Sequence, residues 1–557
     1  MKKYAVFILT FAFLLASFIP NFYEASVADI LPKDRTLVWG EHIYTYDYNI
    51  YLSKIRQGLE GRSTIIDKYD NNPNQQGVLL QMTYLLTGKI FSPLKVSPTI
   101  AFHLMRLILS IAWIYVLIWL SIFFLKKPYL YTLGVIFSLL ATGFPVFYRF
   151  ENEWWVGSYM SWWQEMDLMK RISYLPHYLL NYIFISVFTV LLYLIEKKKN
   201  PRYFLILCLG IFISIFIHPS AAIVFFFSWF LFHVIKTVWH PDFSLKRILN
   251  IGIKTAAILI AILLPLLYIQ SVTSVYPWKA LIDFEKGYRL SVNIKEYILT
   301  LGPLFFTGTA GIILVLIKKE ERLLSVATWF LGAWLAIIVF KLFPYQSELR
   351  FVQTANHVPM AILSVYFFNH VLNLIRGSNP LKKTFLNLSK IFVYLLIFLI
   401  ILLGLVQAYF SIKAQDQFIH QRAVAVYPVV PYPPQVMYPI NDFWNGIRWL
   451  EKNTPRSGVV LSKFTTGNYI PAYAGNFVYF GHNPESPHFD LKAQKVEYFF
   501  SGNVPENEAL GFLKGEKIDY VFYGPQEKDH NQQDISRYQF LKPVYQSSQV
   551  TIFKVNK

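Results

Sequence analysis

Apolar runs near the roughly 20 residues that a helix needs to cross a bilayer recur throughout this sequence. They lie at 4–22, 100–125, 129–148, 176–195, 203–218, 220–236, 248–270, 298–317, 323–343, 354–375 and 389–412. A chain built this way is expected to fold as a polytopic α-helical membrane protein with about 11 transmembrane helices. Cationic residues fill alternate gaps: Lys2 and Lys3; Lys126 and Lys127; Lys197 to Lys199 with Arg202; Lys236, Lys246 and Arg247; Lys318, Lys319 and Arg322; and Arg376, Lys382 and Lys383. Short basic loops stay in the cytoplasm, so these gaps are expected on that side. The N-terminus is then cytoplasmic, and an odd number of crossings carries the C-terminal residues outside.

Composition agrees with this reading, with 55% hydrophobic residues and a mean hydropathy of +0.38. The formal charge of +19 collects largely in those gaps, where anionic lipid headgroups are the partner. Nucleic acid is therefore not an expected ligand. The single cysteine, Cys208, lies in an apolar run, so the exported parts fold without an intrachain disulfide. Met1-Lys2-Lys3, the first apolar run and Ser26-Val27-Ala28 also have the form of a signal peptide. An uncleaved anchor is the expectation.

Three outward segments are long enough to hold a site: 23–99, 149–175 and 271–297. Residues 1–412 are expected to form the transmembrane domain, with 23–99 as its exoplasmic loop. Residues 413–440, including Tyr427 to Pro439, read as a semi-rigid Pro/Tyr-rich connector. Residues 441–557 have the mixed pattern of a soluble exoplasmic α/β domain, with a helix near Phe443 to Lys452. Its strands are expected at Val459 to Ser462, Phe477 to Phe480, Ile518 to Tyr523 and Val550 to Val555. The glycines of Thr465 to Gly475 and Gly481 to Glu485 read as turn residues between them.

In the first outward segment, Ile50, Leu52, Ile55 and Leu59 recur at helical spacing and predict an amphipathic interfacial helix. Asp47 stands just before it, placed either to cap that helix or to act as an acid–base group. Arg106 falls at the outer end of the second run, where a buried guanidinium holds an anion or snorkels to the headgroups. Arg350 sits in an outward turn with Glu348, as a phosphate ligand or half of a surface ion pair. His177 and His218 each adjoin a proline at the end of a run, as turn residues or ligands. Glu151 to Trp163 concentrates tryptophan, as an interfacial anchor or a platform for a sugar ring.

Taken in order along one face of the membrane, these segments resemble the lipid-phosphosugar-dependent glycosyltransferases of the GT-C class, which include protein O-mannosyltransferases and aminoarabinose transferases. The resemblance runs through Asp47 and its tyrosine-bearing helix, Leu85-Leu-Thr-Gly-Lys89, His103-Leu-Met-Arg106, Arg171 to His177, His218-Pro219 and Glu348-Leu-Arg350-Phe351, over roughly residues 1–412. It implies a GT-C-like transmembrane domain, a polyprenyl-phosphate sugar donor in the outer leaflet and an acceptor in the cell envelope. It further implies that Asp47 is the general base and that Arg106, Arg171, His177, His218, Glu348 and Arg350 bind substrate. Where members of the class often carry two adjacent acids, Tyr48 follows Asp47, and Glu41 is the second candidate. Trp154-Trp155 is followed by Val156, a departure from the WWD motif of oligosaccharyltransferases.

No HExxH, paired CxxC or carboxylate-cluster motif marks a metal site. A divalent metal is left open only because Asp47, Glu151, Glu153, Asp167 and the two histidines share one face. Two other functions compete with sugar transfer. A transporter or flippase would need polar groups at mid-membrane depth, whereas most runs have apolar centres. A non-catalytic envelope assembly protein would act through residues 441–557 alone.

Overall fold

The computed structural model describes residues 2–43, 45–343, 346–376, 383–426, 438–529 and 531–556. Eight of the described helices are long and apolar enough to cross a membrane, and a bent pair makes a ninth. The chain is a multi-pass membrane protein. Two shorter apolar helices, Pro128–Leu140 and Pro201–Ile217, fall where further crossings were expected.

Three of the expected runs change shape for local reasons. The run at 298–317 bends by 89° between Ile294–Leu301 and Pro303–Lys318. Gly302, at φ +62°, leaves the first helix, and Pro303, which has no N–H to lose, starts the second. The run at 129–148 stops being helical at Leu140 and turns extended. The last run is longer than expected: Lys383–Ala423 is one helix of 41 residues, about 60 Å long and twice the hydrocarbon thickness. It takes in the first part of the expected connector. Residues 427–437 of that connector lie outside the described residues.

The described residues form two compact units. The first comprises Met1–Ile19, Arg106–Leu267 and Leu290–Ala414. It is a helical bundle carrying one hairpin, strands β1 (Pro145–Phe150) and β2 (Glu153–Ser158), in antiparallel register from Pro145 opposite Ser158 to Phe150 opposite Glu153. Glu151 and Asn152 both have positive φ, the geometry of the tight turn that matches strand twist. Trp154 is 68% exposed on this hairpin, whereas Trp155 is buried beside Phe410 and under the Lys413 ammonium.

The second unit comprises Pro20–Met105, Tyr268–Arg289 and Gln415–Lys557. Its sheet has five strands: β3 (Val459–Leu461), β4 (Phe477–Val478), β5 (Tyr520–Tyr523), β6 (Leu541–Gln546) and β7 (Thr551–Val555), in the order β4-β3-β5-β7-β6. The first three pair in parallel and the last two are antiparallel. Strand β6 has no counterpart in the sequence reading, because its outward residues leave little apolar alternation.

Residues 23–99 belong to the same unit as this sheet. Ile66 lies in the core with Val459, Leu461, Phe499 and Val521. Backbone hydrogen bonds join Val478 N to Lys68 O (3.0 Å), Asn441 N to Asp34 O (2.8 Å) and Thr36 N to Pro439 O (2.9 Å). Helix α1 (Thr45–Leu59) crosses helix α2 (Met82–Phe91) where Gly58 meets Gly88. A Cβ on Gly58 would stand 2.2 Å from Leu85 O, so the Leu85-Leu-Thr-Gly-Lys89 segment serves here as a helix-crossing motif.

Candidate functional site

Helix α1 begins two residues before Asp47, placing this carboxylate in the first turn and not at the expected N-cap. The helix N-terminus favours a negative charge there. One carboxylate oxygen lies 3.2 Å from His482 Nε2, with the Asp47 side chain 37% exposed and His482 only 1%. His482 comes from the segment read as a turn in the sequence. Tyr46 stacks on its ring at 4.2 Å, and the Tyr46 hydroxyl accepts a hydrogen bond from Asn483 N at 2.7 Å.

Further contacts run along α1. Residues 47, 51, 54 and 58 recur at helical spacing and share a face. Lys54 is ion-paired with Glu485 and donates to Gln81, all three in the second unit. Asn49 Nδ2 donates to Asn468 Oδ1 at 2.7 Å, and Tyr51 stacks on Tyr84 at 4.1 Å. Asn468 lies on helix α3 (Phe464–Tyr473), which occupies the stretch expected to be a flexible turn. Gly467 is therefore a packing glycine: a Cβ there would stand 2.2 Å from Phe480 O, and one on Gly481 would stand 2.3 Å from Gly467 C.

Glu41, the second acidic candidate, is buried. Its carboxylate accepts from Ile43 N at 3.1 Å and lies 3.9 Å from His42 Nδ1. His42 itself bridges Glu24 Oε2 at 2.9 Å and Gln415 Oε1 at 3.0 Å. Burial alone would lower the His42 pKa, but the hydrogen bond and charge of Glu24, with Glu41 and Gln415 adding to them, raise it above the ordinary value. Acceptors at both ring nitrogens favour the protonated ring. Of the two candidate acids, Asp47 is the one with an exposed face, and Glu41 is part of an internal charge cluster.

The second unit also contains a hollow of about 620 Å³ at the C-terminal end of α1. Arg56, Glu60, Trp39, Trp444, Tyr473 and Arg448 line it. Arg56 and Arg448 both pair with Glu451 at 3.1 Å. Arg56 lies nine residues after Asp47, half a turn out of phase and about 14 Å along the axis, so the hollow and Asp47 lie on opposite faces of the helix.

The other site residues expected from the sequence belong to the first unit. Arg106 is buried, its guanidinium 5.4 Å from the Phe18 ring. Arg171 is buried and donates to Ser138 O, Leu139 O and Ala141 O at 3.4, 3.2 and 2.5 Å, satisfying carbonyls at the end of helix Pro128–Leu140. Burial lowers its pKa to about 10, and it stays cationic at neutral pH. The His177 and His218 rings stack 5.7 Å apart, with His218 Nδ1 at 2.8 Å from Ser220 Oγ. Arg350 is near enough for its charge to act on His218. Glu348 is fully buried and accepts from Ser291 Oγ (2.6 Å) and Val292 N (3.1 Å), so it is not half of a surface pair.

Among the described residues, no three His, Cys, Asp or Glu side chains come together in a metal-binding group. Asp167 accepts from Ser411 Oγ at 2.7 Å, and Glu153 pairs with Lys413 at 2.5 Å. Sequence reasoning missed His482, Lys54 and Glu485. Their one signal was a histidine and an acid packed among glycine and prolines in a segment otherwise read as a turn.

A bundle of apolar helices with a long segment after the first apolar run and a C-terminal mixed-sheet module constitutes a GT-C-like fold. Among solved structures, the chain is similar to the apo oligosaccharyltransferase of Archaeoglobus fulgidus, with a TM-score of 0.51 and 11% identity over 98% of this chain and 74% of that one. ArnT from Cupriavidus metallidurans aligns with a TM-score of 0.49 in the apo state, at 10% identity over 100% of this chain and 98% of that one. Its complex with undecaprenyl phosphate gives 0.48 at 10% identity, covering 98% and 97%. No protein-family model matches the sequence, and no curated protein matches it.

Proposed function

We propose that this protein is a glycosyltransferase that moves a sugar from a polyprenyl-phosphate-linked donor to an acceptor of the cell envelope on the outer face of the membrane, with Asp47 as general base. One observation carries the reading: an acidic side chain at a helix N-terminus, partly exposed, with a buried histidine holding one of its oxygens. In the reaction, an acceptor hydroxyl oxygen bonds to the anomeric carbon and its proton passes to Asp47. The bond from that carbon to the phosphate oxygen breaks, and its electron pair leaves with the polyprenyl phosphate. A general base must lie within hydrogen-bond reach of the proton it takes. Arg106 and Arg350 are the proposed partners of the departing phosphate, whose charge must be stabilised where water is scarce. His177 and His218, stacked beside the Arg350 charge, would bound the same donor site.

The test uses the full chain in lipid nanodiscs with a panel of radiolabelled undecaprenyl phosphate hexoses and isolated cell-envelope acceptor. Asp47→Asn is expected to cut transfer by about 100-fold or more, the share a positioned base supplies, while donor binding holds. Undiminished transfer by Asp47→Asn would remove Asp47 from the mechanism.

A further inference from the structure

We infer that His482, supplied by the C-terminal module, is a positioning residue for the Asp47 carboxylate, donating from Nε2 as a neutral imidazole. The inference rests on the reading of Asp47 as general base, and the geometry gives it a specific form. Nε2 lies 3.2 Å from Asp47 Oδ1, while Nδ1 is buried and has no hydrogen-bond partner among the described residues. A proton on Nδ1 would be buried without an acceptor, in either the cation or the other tautomer, and that arrangement is costly. The neutral form with its proton on Nε2 avoids this: Nε2–H donates to the carboxylate, and Nδ1 keeps only a lone pair.

The ring is held on several sides. Tyr46 stacks on one side at 4.2 Å with an interplanar angle of 27°, and the Tyr69 ring lies 5.9 Å away. The His482 backbone is tied within its own loop, since Ser486 Oγ accepts from His482 N at 3.2 Å and His482 O accepts from Ser486 N at 2.8 Å. Gly481, just before it, packs against Gly467 with no room for a side chain. Asn483 N and Glu485 join the same loop to Tyr46 and Lys54 of α1. The donor at Nε2 is therefore fixed relative to the helix that carries Asp47. A base used in bond formation gains from being held in one orientation, and here the restraint comes from about 435 residues further along the chain.

The C-terminal module is then part of the catalytic machinery, beyond any role in holding an acceptor. A hydrogen bond to Oδ1 leaves the second carboxylate oxygen as the one that meets the acceptor proton.

The deciding experiment is solution or solid-state NMR on full-length protein with 15N-labelled histidine imidazoles in nanodiscs, with His482 identified by its loss in His482→Phe or, should that variant not fold, in His482→Gln. The expected result is an unprotonated Nδ1 and a protonated Nε2 whose proton signal moves when Asp47→Asn is introduced. A cationic ring, a proton on Nδ1, or no response to Asp47→Asn overturns the inference. In transfer assays with the labelled undecaprenyl phosphate hexoses, His482→Phe keeps the stacking ring but loses the donor. It should lower kcat about 10-fold or more with donor KM unchanged, and His482→Gln, which keeps an N–H donor, should recover part of the loss. If Asp47→Asn transfers normally while the NMR pattern holds, the proposed reaction falls and the pairing stands. If Asp47→Asn is inactive and His482→Phe has wild-type kcat, the reaction stands and the positioning role falls.

Discussion

Gly467 and Gly481 meet backbone to backbone, and this contact places the next residue, His482, against Asp47. Added Cβ atoms would fall 2.2 Å from Phe480 O and 2.3 Å from Gly467 C, distances that only movement of the main chain can relieve. Gly481→Ala is expected to destabilise the protein by at least the ~1–3 kcal/mol typical of overpacking, and to lower the melting temperature in detergent or nanodiscs. An unchanged melting temperature would mean that the helix and loop part without cost. Gly511→Ala, inside helix Glu506–Gly515 where the added methyl meets open space, is the control and should be neutral to slightly stabilising.

Lys54 and Glu485 form an ion pair with each side chain only 3% exposed. Removing one member leaves the other charge buried, which typically costs about 3–5 kcal/mol, whereas replacing both by apolar residues is often close to neutral. Lys54→Met alone should therefore be strongly destabilising, and Lys54→Met with Glu485→Leu should recover most of the loss. A double-mutant cycle on thermal unfolding measures this, and additivity of the two single losses would rule the pairing out.

The helices were legible in the sequence because apolar length reports on membrane crossing directly. Residues such as Gly302-Pro303 decide only how a crossing is broken, and a run of apolar residues hides such a break. Strands β3, β5 and β7 were legible from β-branched and aromatic runs, while β6, whose side chains mostly face water, was not. The Asp47 helix could be read from the spacing of Ile50, Leu52, Ile55 and Leu59, but its start at Thr45 could not, since caps shift by a residue or two. His482, Lys54 and Glu485 were invisible for a deeper reason. Their meaning depends on the module folding back onto α1, and a glycine that permits close packing looks in sequence like a glycine that permits a turn.

His42 gives the second unit a pH dependence with a definite sign. Its raised pKa comes from Glu24, Glu41 and Gln415 acting against burial, and Asp416 lies near enough to feel its charge. A group that binds its proton more tightly when folded stabilises the fold fully below its unfolded pKa of about 6.5, and that contribution is lost as pH rises through the higher folded value. The melting temperature should therefore fall as pH is raised from about 6 into the alkaline range, and His42→Gln should flatten the decline. Parallel profiles for wild type and variant would show that another group governs it.

Arg171 separates structural support from substrate binding. The resemblance to GT-C enzymes marks it as a substrate ligand, yet its Nη2 is directed at three carbonyls where helix Pro128–Leu140 ends. A carbonyl that loses a buried donor costs about 1–3 kcal/mol, so Arg171→Met, which strips the donor from three, is expected to lower stability by about 3 kcal/mol or more. Arg171→Lys should fall between, because an ammonium keeps the charge but not the planar fork of donors. Binding of undecaprenyl phosphate, measured by native mass spectrometry well below the lowered melting temperature, should match wild type. If binding drops while the melting temperature holds, the guanidinium faces the lipid phosphate after all, and the carbonyl contacts are secondary to that role.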